Sequence, residues 1–152
     1  MHSEAALKLE RFLPYRLSLL SNRISASISR AYAERFTLSI TEWRVMAVLA
    51  RFPGLSSNEV AERTAIDKVA ISRAVSNLLR HGRLQRETHG SDRRKSVLTL
   101  SAAGHAICDE VVPRAEAYEQ ALLAGLDDAE RTALNRIIEK LMRQQAIAAE
   151  HL

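Results

Sequence analysis

The chain has 152 residues with 22 basic against 18 acidic side chains, a formal net charge of +4. That length suits one ordinary domain, or a small domain with helical extensions. At 47% hydrophobic and 26% charged residues the composition is that of an average globular protein, far from the disordered corner. The longest apolar run, Val45 to Ala50, has six residues, far below the roughly 20 that span a bilayer. Residues 1 to 13 carry Glu4, Lys8, Glu10 and Arg11 and do not read as a secretory signal, so a cytoplasmic protein with no membrane partner is expected. A lone cysteine, Cys108, excludes an intramolecular disulfide and a thiolate metal cluster.

In chain order, Leu13, Leu17, Leu20, Ile24, Ile28 and Ala31 recur at spacings of three and four. This predicts one amphipathic helix from residue 14 to about 35, with Pro14 in its first turn. Thr41 is read as the cap of a second helix carrying Trp43, Met46, Ala47 and Ala50, ended by Pro53 and Gly54. Ser56 or Ser57 caps a short third helix to about Thr64 with Val60 and Ala61 turned inward.

A fourth helix starts at Asp67 and stops at Gly82. Ile71, Ala74, Val75 and Leu78 fall on one stripe at 100° per residue. Opposite lie Val69, Arg73, Ser76, Asn77 and Arg80, with Ser72 at the edge and no acid among them. A solvated face ordinarily mixes Glu with Lys or Arg for (i, i+4) pairs, so this one asks for a polyanion. Residues 84 to 88 and 96 to 100 are short, include β-branched side chains and flank a turn-rich loop, the pattern of a hairpin. Ser101 caps a long helix with Ile107, Val111, Tyr118 and Leu122 inward and a kink or break expected at Pro113. Asp127 and Glu130 form a capping box for a last helix with the stripe Leu134, Ile137, Ile138, Leu141 and Met142.

Charge is concentrated. From Arg63 to Lys95 nine basic residues stand against three acids, leaving the remainder of the chain mildly acidic, as expected where one region meets a polyanion. Eighteen of the 22 basic residues are Arg, whose planar fork suits phosphate and guanine. The apolar stripes of the first and the last two helices are remote in sequence from packing partners, so a two-fold homodimer is favoured over a monomer whose ends fold together.

A short helix, a turn, an arginine-bearing helix and a basic hairpin, in that order, describe a winged helix-turn-helix. The stretches Ser56 to Thr64 (SSNEVAERT), Asp67 to Gly82 (DKVAISRAVSNLLRHG) and Ser91 to Gly104 (SDRRKSVLTLSAAG) closely resemble the MarR family of bacterial transcription regulators. The resemblance implies a mainly α fold with a small β-hairpin wing, a homodimer joined through its terminal helices, a pseudo-palindromic operator, and release by a small ligand. On that basis residues 37–100 are expected to form the DNA-binding region, and 1–36 with 101–152 the dimerisation region of one intertwined domain. The recognition helix is then Asp67 to His81, Arg94 the wing arginine that enters the minor groove, and Asp92 the acid that orients it. Arg83 departs from the apolar residue the family commonly places after the glycine; its charge would suit phosphate.

Arg73 is the expected guanine reader and Val69 the contact to a thymine methyl, while Asn77 reads adenine or holds a phosphate. Lys68, Ser72, Ser76 and Arg80 complete the helix face; Arg86, Arg93 and Lys95 add backbone contacts from the wing. Ser56, Ser57 and Asn58 start a helix, where N–H groups favour phosphate, although capping alone explains the serines equally well. An effector, an aromatic carboxylate or its thioester, would lie among Tyr15, Arg16, Arg23, Trp43 and Met46; alternatively Trp43 and Met46 are plain core.

Other classes find less support. No GxGxxG, P-loop, HExxH or GxSxG is present, and His105 with Asp109 is a two-ligand pair that surface pairing explains as well. No enzyme activity, cofactor or metal is therefore expected. A redox regulator sensing through Cys108 is an alternative, set against the neighbouring Asp109 and Glu110, which raise a thiol pKa. A helical adaptor that binds only protein leaves the basic surface unexplained.

Overall fold

The computed structural model describes residues 6–88 and 96–152. A 3-10 turn at Leu9–Arg11 precedes α1 (Leu13–Ser29), α2 (Ala33–Phe36), α3 (Ile40–Arg51), α4 (Ser57–Thr64) and α5 (Lys68–Arg80). Strands β1 (Leu84–Thr88) and β2 (Ser96–Leu100) follow, then α6 (Ala102–Leu123) and α7 (Asp128–Ala149).

Two differences from the sequence reading concern helix ends. The first helix stops at Ser29, because Tyr32 leaves helical geometry at φ −139° and goes into the core with Ala31, and α2 restarts after it. The cap of α3 is Ser39, not Thr41: the Ser39 hydroxyl accepts the Glu42 N–H while Glu42 Oε1 accepts the Ser39 N–H. Ser56 and Glu59 repeat this reciprocal box at α4, and Asp127 and Glu130 repeat it at α7. Each box satisfies two amide donors that a helix start leaves without intrahelical partners.

The chain divides into two compact units, Met1–Ala115 and Glu116–Leu152. In the first, the core is built from Val45, Met46 and Leu49 of α3, Val60 and Ala61 of α4, and Ile71, Ala74, Val75 and Leu78 of α5. It is closed by Leu84, Leu98 and Leu100 of the strands and Ile107, Cys108 and Val111 of α6. The strands pair antiparallel with Leu84 opposite Leu100, and Leu55 bridges to Leu98 on the other side of β2. Arg35 of α2 pairs with Glu110 at 2.9 Å, and Arg114 donates to the Ala31 carbonyl.

Helix α6 runs through Pro113 as one helix, so of the kink or break expected there the break is absent. Its start is tied down by Ser101, whose hydroxyl accepts the Gly104 N–H at 3.1 Å and donates to the Gly82 carbonyl at 2.6 Å. In the second unit Arg131 donates to the Leu123 and Leu126 carbonyls, satisfying acceptors that the end of α6 leaves open.

Gly104 sits where α6 comes closest to the β1 entry. A Cβ there would run into the Arg83 carbonyl oxygen and press on Leu100 Cδ2 at 3.1 Å. Gly104→Ala is therefore expected to destabilise the chain by about 1–3 kcal/mol, as overpacking does, measured by the midpoint of urea unfolding. An unchanged midpoint would show that the two backbones part at no cost.

Candidate nucleic-acid interface

The buried stripe of α5 determines what its other face presents. Ile71, Ala74, Val75 and Leu78 are at most 4% exposed, and with 100° per residue the opposite positions must face solvent. Lys68, Val69, Ser72, Arg73, Ser76 and Arg80 are all exposed, and Asn77 is half-buried. Val69, at 58%, is an apolar side chain left uncovered among polar ones. The helix starts on Asp67, whose carboxylate accepts the Val69 N–H at 2.9 Å.

At the far end of α5, Arg80 donates to Asn77 Oδ1, which occupies one acceptor of the amide and leaves its NH2 donors. His81 Nδ1 lies 2.7 Å from the Asn77 carbonyl. Gly82 then turns the chain with φ +71°, a conformation glycine adopts without steric cost. Arg86 is exposed on β1 opposite Leu98. Asp92, Arg93, Arg94 and Lys95 lie outside the described residues.

At α4, Ser56 is the cap and is engaged with Glu59, Ser57 is the first helical residue, and Asn58 is exposed. Sequence reasoning overlooked one cationic feature. Arg51 and Arg63 both place their guanidinium groups over Phe52, at 5.0 and 4.0 Å from the ring centroid, a geometry that holds a cation by the ring quadrupole.

Among the described residues, the five expected to line an effector site lie in different surroundings. Arg16 and Arg23 line an open groove along α1 with Leu13, Leu17 and Leu20; Tyr15 is exposed; Met46 is fully enclosed in the core. Trp43 faces a second cleft, formed with Ser25, Ile28, Tyr32, Ile40 and Arg44. Trp43 stacks on Tyr32 at 5.3 Å between centroids, and Arg44 donates to the Ser25 hydroxyl at 2.8 Å. Burial raises the Tyr32 phenol above its ordinary pKa, opposed by the nearby Arg44. This cleft escaped the sequence because it depends on the break at residues 30–32, which brings Tyr32 back onto Trp43.

Among the described residues no group of three or more His, Cys, Asp or Glu side chains is placed to hold a metal ion, and no helix is long and apolar enough to cross a membrane.

A family model described as the MarR family matches residues 36–95, which take in α3, α4, α5 and β1. Over that stretch the chain is similar to the MarR family. It is 28% identical over 131 residues to the HTH-type transcriptional repressor Rv2887 of Mycobacterium tuberculosis, covering 86% of this chain and 91% of that one. Among solved structures it is similar to a MarR/EmrR family transcriptional regulator from Acinetobacter sp. ADP1, with TM-score 0.83, 25% identity, and coverage of 92% and 99% of the two chains. It is also similar to BpsR of Bordetella bronchiseptica, with TM-score 0.75, 27% identity, and coverage of 86% and 98%; the DNA binding of BpsR is regulated by 6-hydroxynicotinic acid. The matched stretch spans less than two thirds of two further curated relatives, 61% and 65% of their lengths. The relatives named here are transcriptional regulators.

Cys108 lies in the core, and burial, then the Asp109 carboxylate, push its thiol pKa up. A thiol with little thiolate and no access reacts slowly. Ellman's reagent is expected to label Cys108 in the folded chain at least about tenfold more slowly than in urea; equal rates would restore the redox reading.

Proposed function

We propose that the chain binds a pseudo-palindromic DNA operator as a homodimer and represses transcription from it, and that a small aromatic acid or its thioester releases it. The observation that carries this reading is the outward face of α5, which is free of acids and presents Lys68, Val69, Ser72, Arg73, Ser76 and Arg80 to solvent above a fully packed stripe. Thirteen residues of helix at 1.5 Å per residue give ~20 Å, enough to lie in a major groove ~12 Å wide. Arg73 matches O6 and N7 of guanine, Val69 a thymine methyl, and the free NH2 of Asn77 an acceptor on base or phosphate. Lys68, Ser72, Ser76, Arg80, Arg86 and the α4 start at Ser56, Ser57 and Asn58 take the backbone. Arg93, Arg94 and Lys95 extend this surface in sequence, with Arg94 in the minor groove and Asp92 orienting it.

Exposed apolar side chains support the dimer. Leu13, Leu17 and Leu20 of α1 are 47–53% exposed, and Ile137, Ile138, Leu141 and Met142 of α7 are 40–76% exposed. Rows of large apolar side chains at helical spacing mark surfaces that another chain covers. A two-fold dimer would place its recognition helices on half-sites about one DNA turn apart. The repressor name of Rv2887 agrees with the direction of control.

For the effector, the cleft between Tyr32, Trp43 and Arg44 offers two stacked rings, a hydroxyl and a guanidinium. A flat apolar body with one carboxylate fits that set. The regulation of BpsR by an aromatic carboxylic acid is consistent with it.

The test uses an operator selected from random duplexes by the intact protein. Arg73→Ala is expected to cost about 1–3 kcal/mol and to relax preference at one base pair per half-site. Loss of affinity that is uniform across all base substitutions would make Arg73 a phosphate contact.

A further inference from the structure

Arg83, whose charge would suit phosphate, has surroundings that differ from those of a solvated cation. It is half-buried. Its Nη2 donates to the Phe36 carbonyl, 47 residues away, at the end of α2. Its amide donates to the Leu78 carbonyl at 2.9 Å, closing the recognition helix, and its carbonyl accepts the Ser101 N–H at 3.0 Å, the residue that starts α6. One residue therefore joins α5, the β1 entry, α6 and α2.

The acceptor is itself unusual. Phe36 ends α2 because Thr37 turns left-handed, φ 54° and ψ 46°, a region that β-branched residues rarely occupy. The last carbonyls of a helix lack intrahelical donors, and a cation at that end is favoured by the helix dipole. The Arg83 guanidinium supplies both the donor and the charge. A lysine could reach with one donor but lacks the fork, and an apolar residue would leave the Phe36 carbonyl without this partner.

We propose that Arg83 is a positioning residue for operator recognition: by bonding the end of α2 it sets how the recognition helix and the wing base are held against the helices before them, and it does not contact DNA phosphate. Resting on the DNA-binding reading above, this separates two roles of a basic residue that charge counting merges. A phosphate contact contributes to all duplexes alike and to the salt slope, whereas a positioning residue contributes to selectivity.

The experiment compares wild type, Arg83→Ala and Arg83→Lys for affinity to the selected operator and to scrambled duplex over a range of salt, well below the unfolding midpoint of each. Arg83→Ala is expected to lose about tenfold on the operator, the scale of one charge-assisted hydrogen bond. Its affinity for scrambled DNA and its salt slope stay unchanged, and Arg83→Lys recovers part of the operator loss. A fall in slope of about one per half-site, an equal loss on both duplexes, or no loss on the operator would each overturn the proposal. Hydrogen exchange without DNA gives a second reading if the wild type shows no selectivity, which would count against the DNA reading itself. Arg83→Ala should speed exchange in residues 36–39, 84–88 and 96–100 while leaving α7 unchanged; identical exchange in those segments would overturn the proposal independently.

Discussion

Everything the molecule presents to a partner depends on one packing constraint: the stripe Ile71, Ala74, Val75 and Leu78 must be buried. Those four side chains meet Val45, Met46 and Leu49 of α3 and Val60 and Ala61 of α4 in the core. Burial of a stripe this apolar stabilises the fold by roughly 25 cal/mol per Å² removed from water, and it leaves no freedom in which face points outward. Arg73 and its neighbours are thereby held on a packed helix and not on a loop, which is the condition for reading base edges at fixed geometry. The proposed recognition is in this sense a by-product of core formation: the same rotation that buries Ile71 exposes Val69 and Arg73.

The junction at the end of α5 extends that constraint to the hairpin and α6. Gly82 lets the chain leave the helix, Ser101 bonds the Gly82 carbonyl, and Gly104 permits α6 to lie against the Arg83 peptide. None of these contacts is strong alone. Together with the backbone bonds from the Arg83 N–H to Leu78 and from the Ser101 N–H to the Arg83 carbonyl, they fix the strand entry relative to the helix.

Much of this was legible beforehand, and the exceptions have physical reasons. The buried stripe of α5, both strands and the Asp127–Glu130 box follow from periodicity and capping chemistry, which are local. The Ser39 cap was also legible, since Ser39 and Glu42 have the spacing of a capping box; Thr41 is only a second candidate nearby. The break at residues 30–32 was not, because the apolar spacing runs on through Ala31 and only tertiary burial of Tyr32 ends the helix. The cleft between Tyr32, Trp43 and Arg44 inherits that difficulty: a site made by a chain reversal cannot be assembled from the stripe of one helix. Pro113 shows the converse, a local breaker signal overridden within a long helix whose preceding turns are anchored by Ile107 and Val111. Arg83 looked like one more cation for phosphate, and only its long-range bond to Phe36 marks it otherwise.

The central claim is that the outward face of α5 reads DNA sequence. It is tested most directly by fluorescence anisotropy of the intact protein on the duplex flanking its own gene, against scrambled duplex of equal length, at several salt concentrations. The account predicts tight binding to the first and weaker binding to the second by at least about 10³-fold, with log affinity falling linearly and steeply against log salt. Equal affinity for the flanking duplex, for scrambled DNA and for an operator sought by selection from random sequence would contradict it, and would leave the basic surface as a site for polyanions in general.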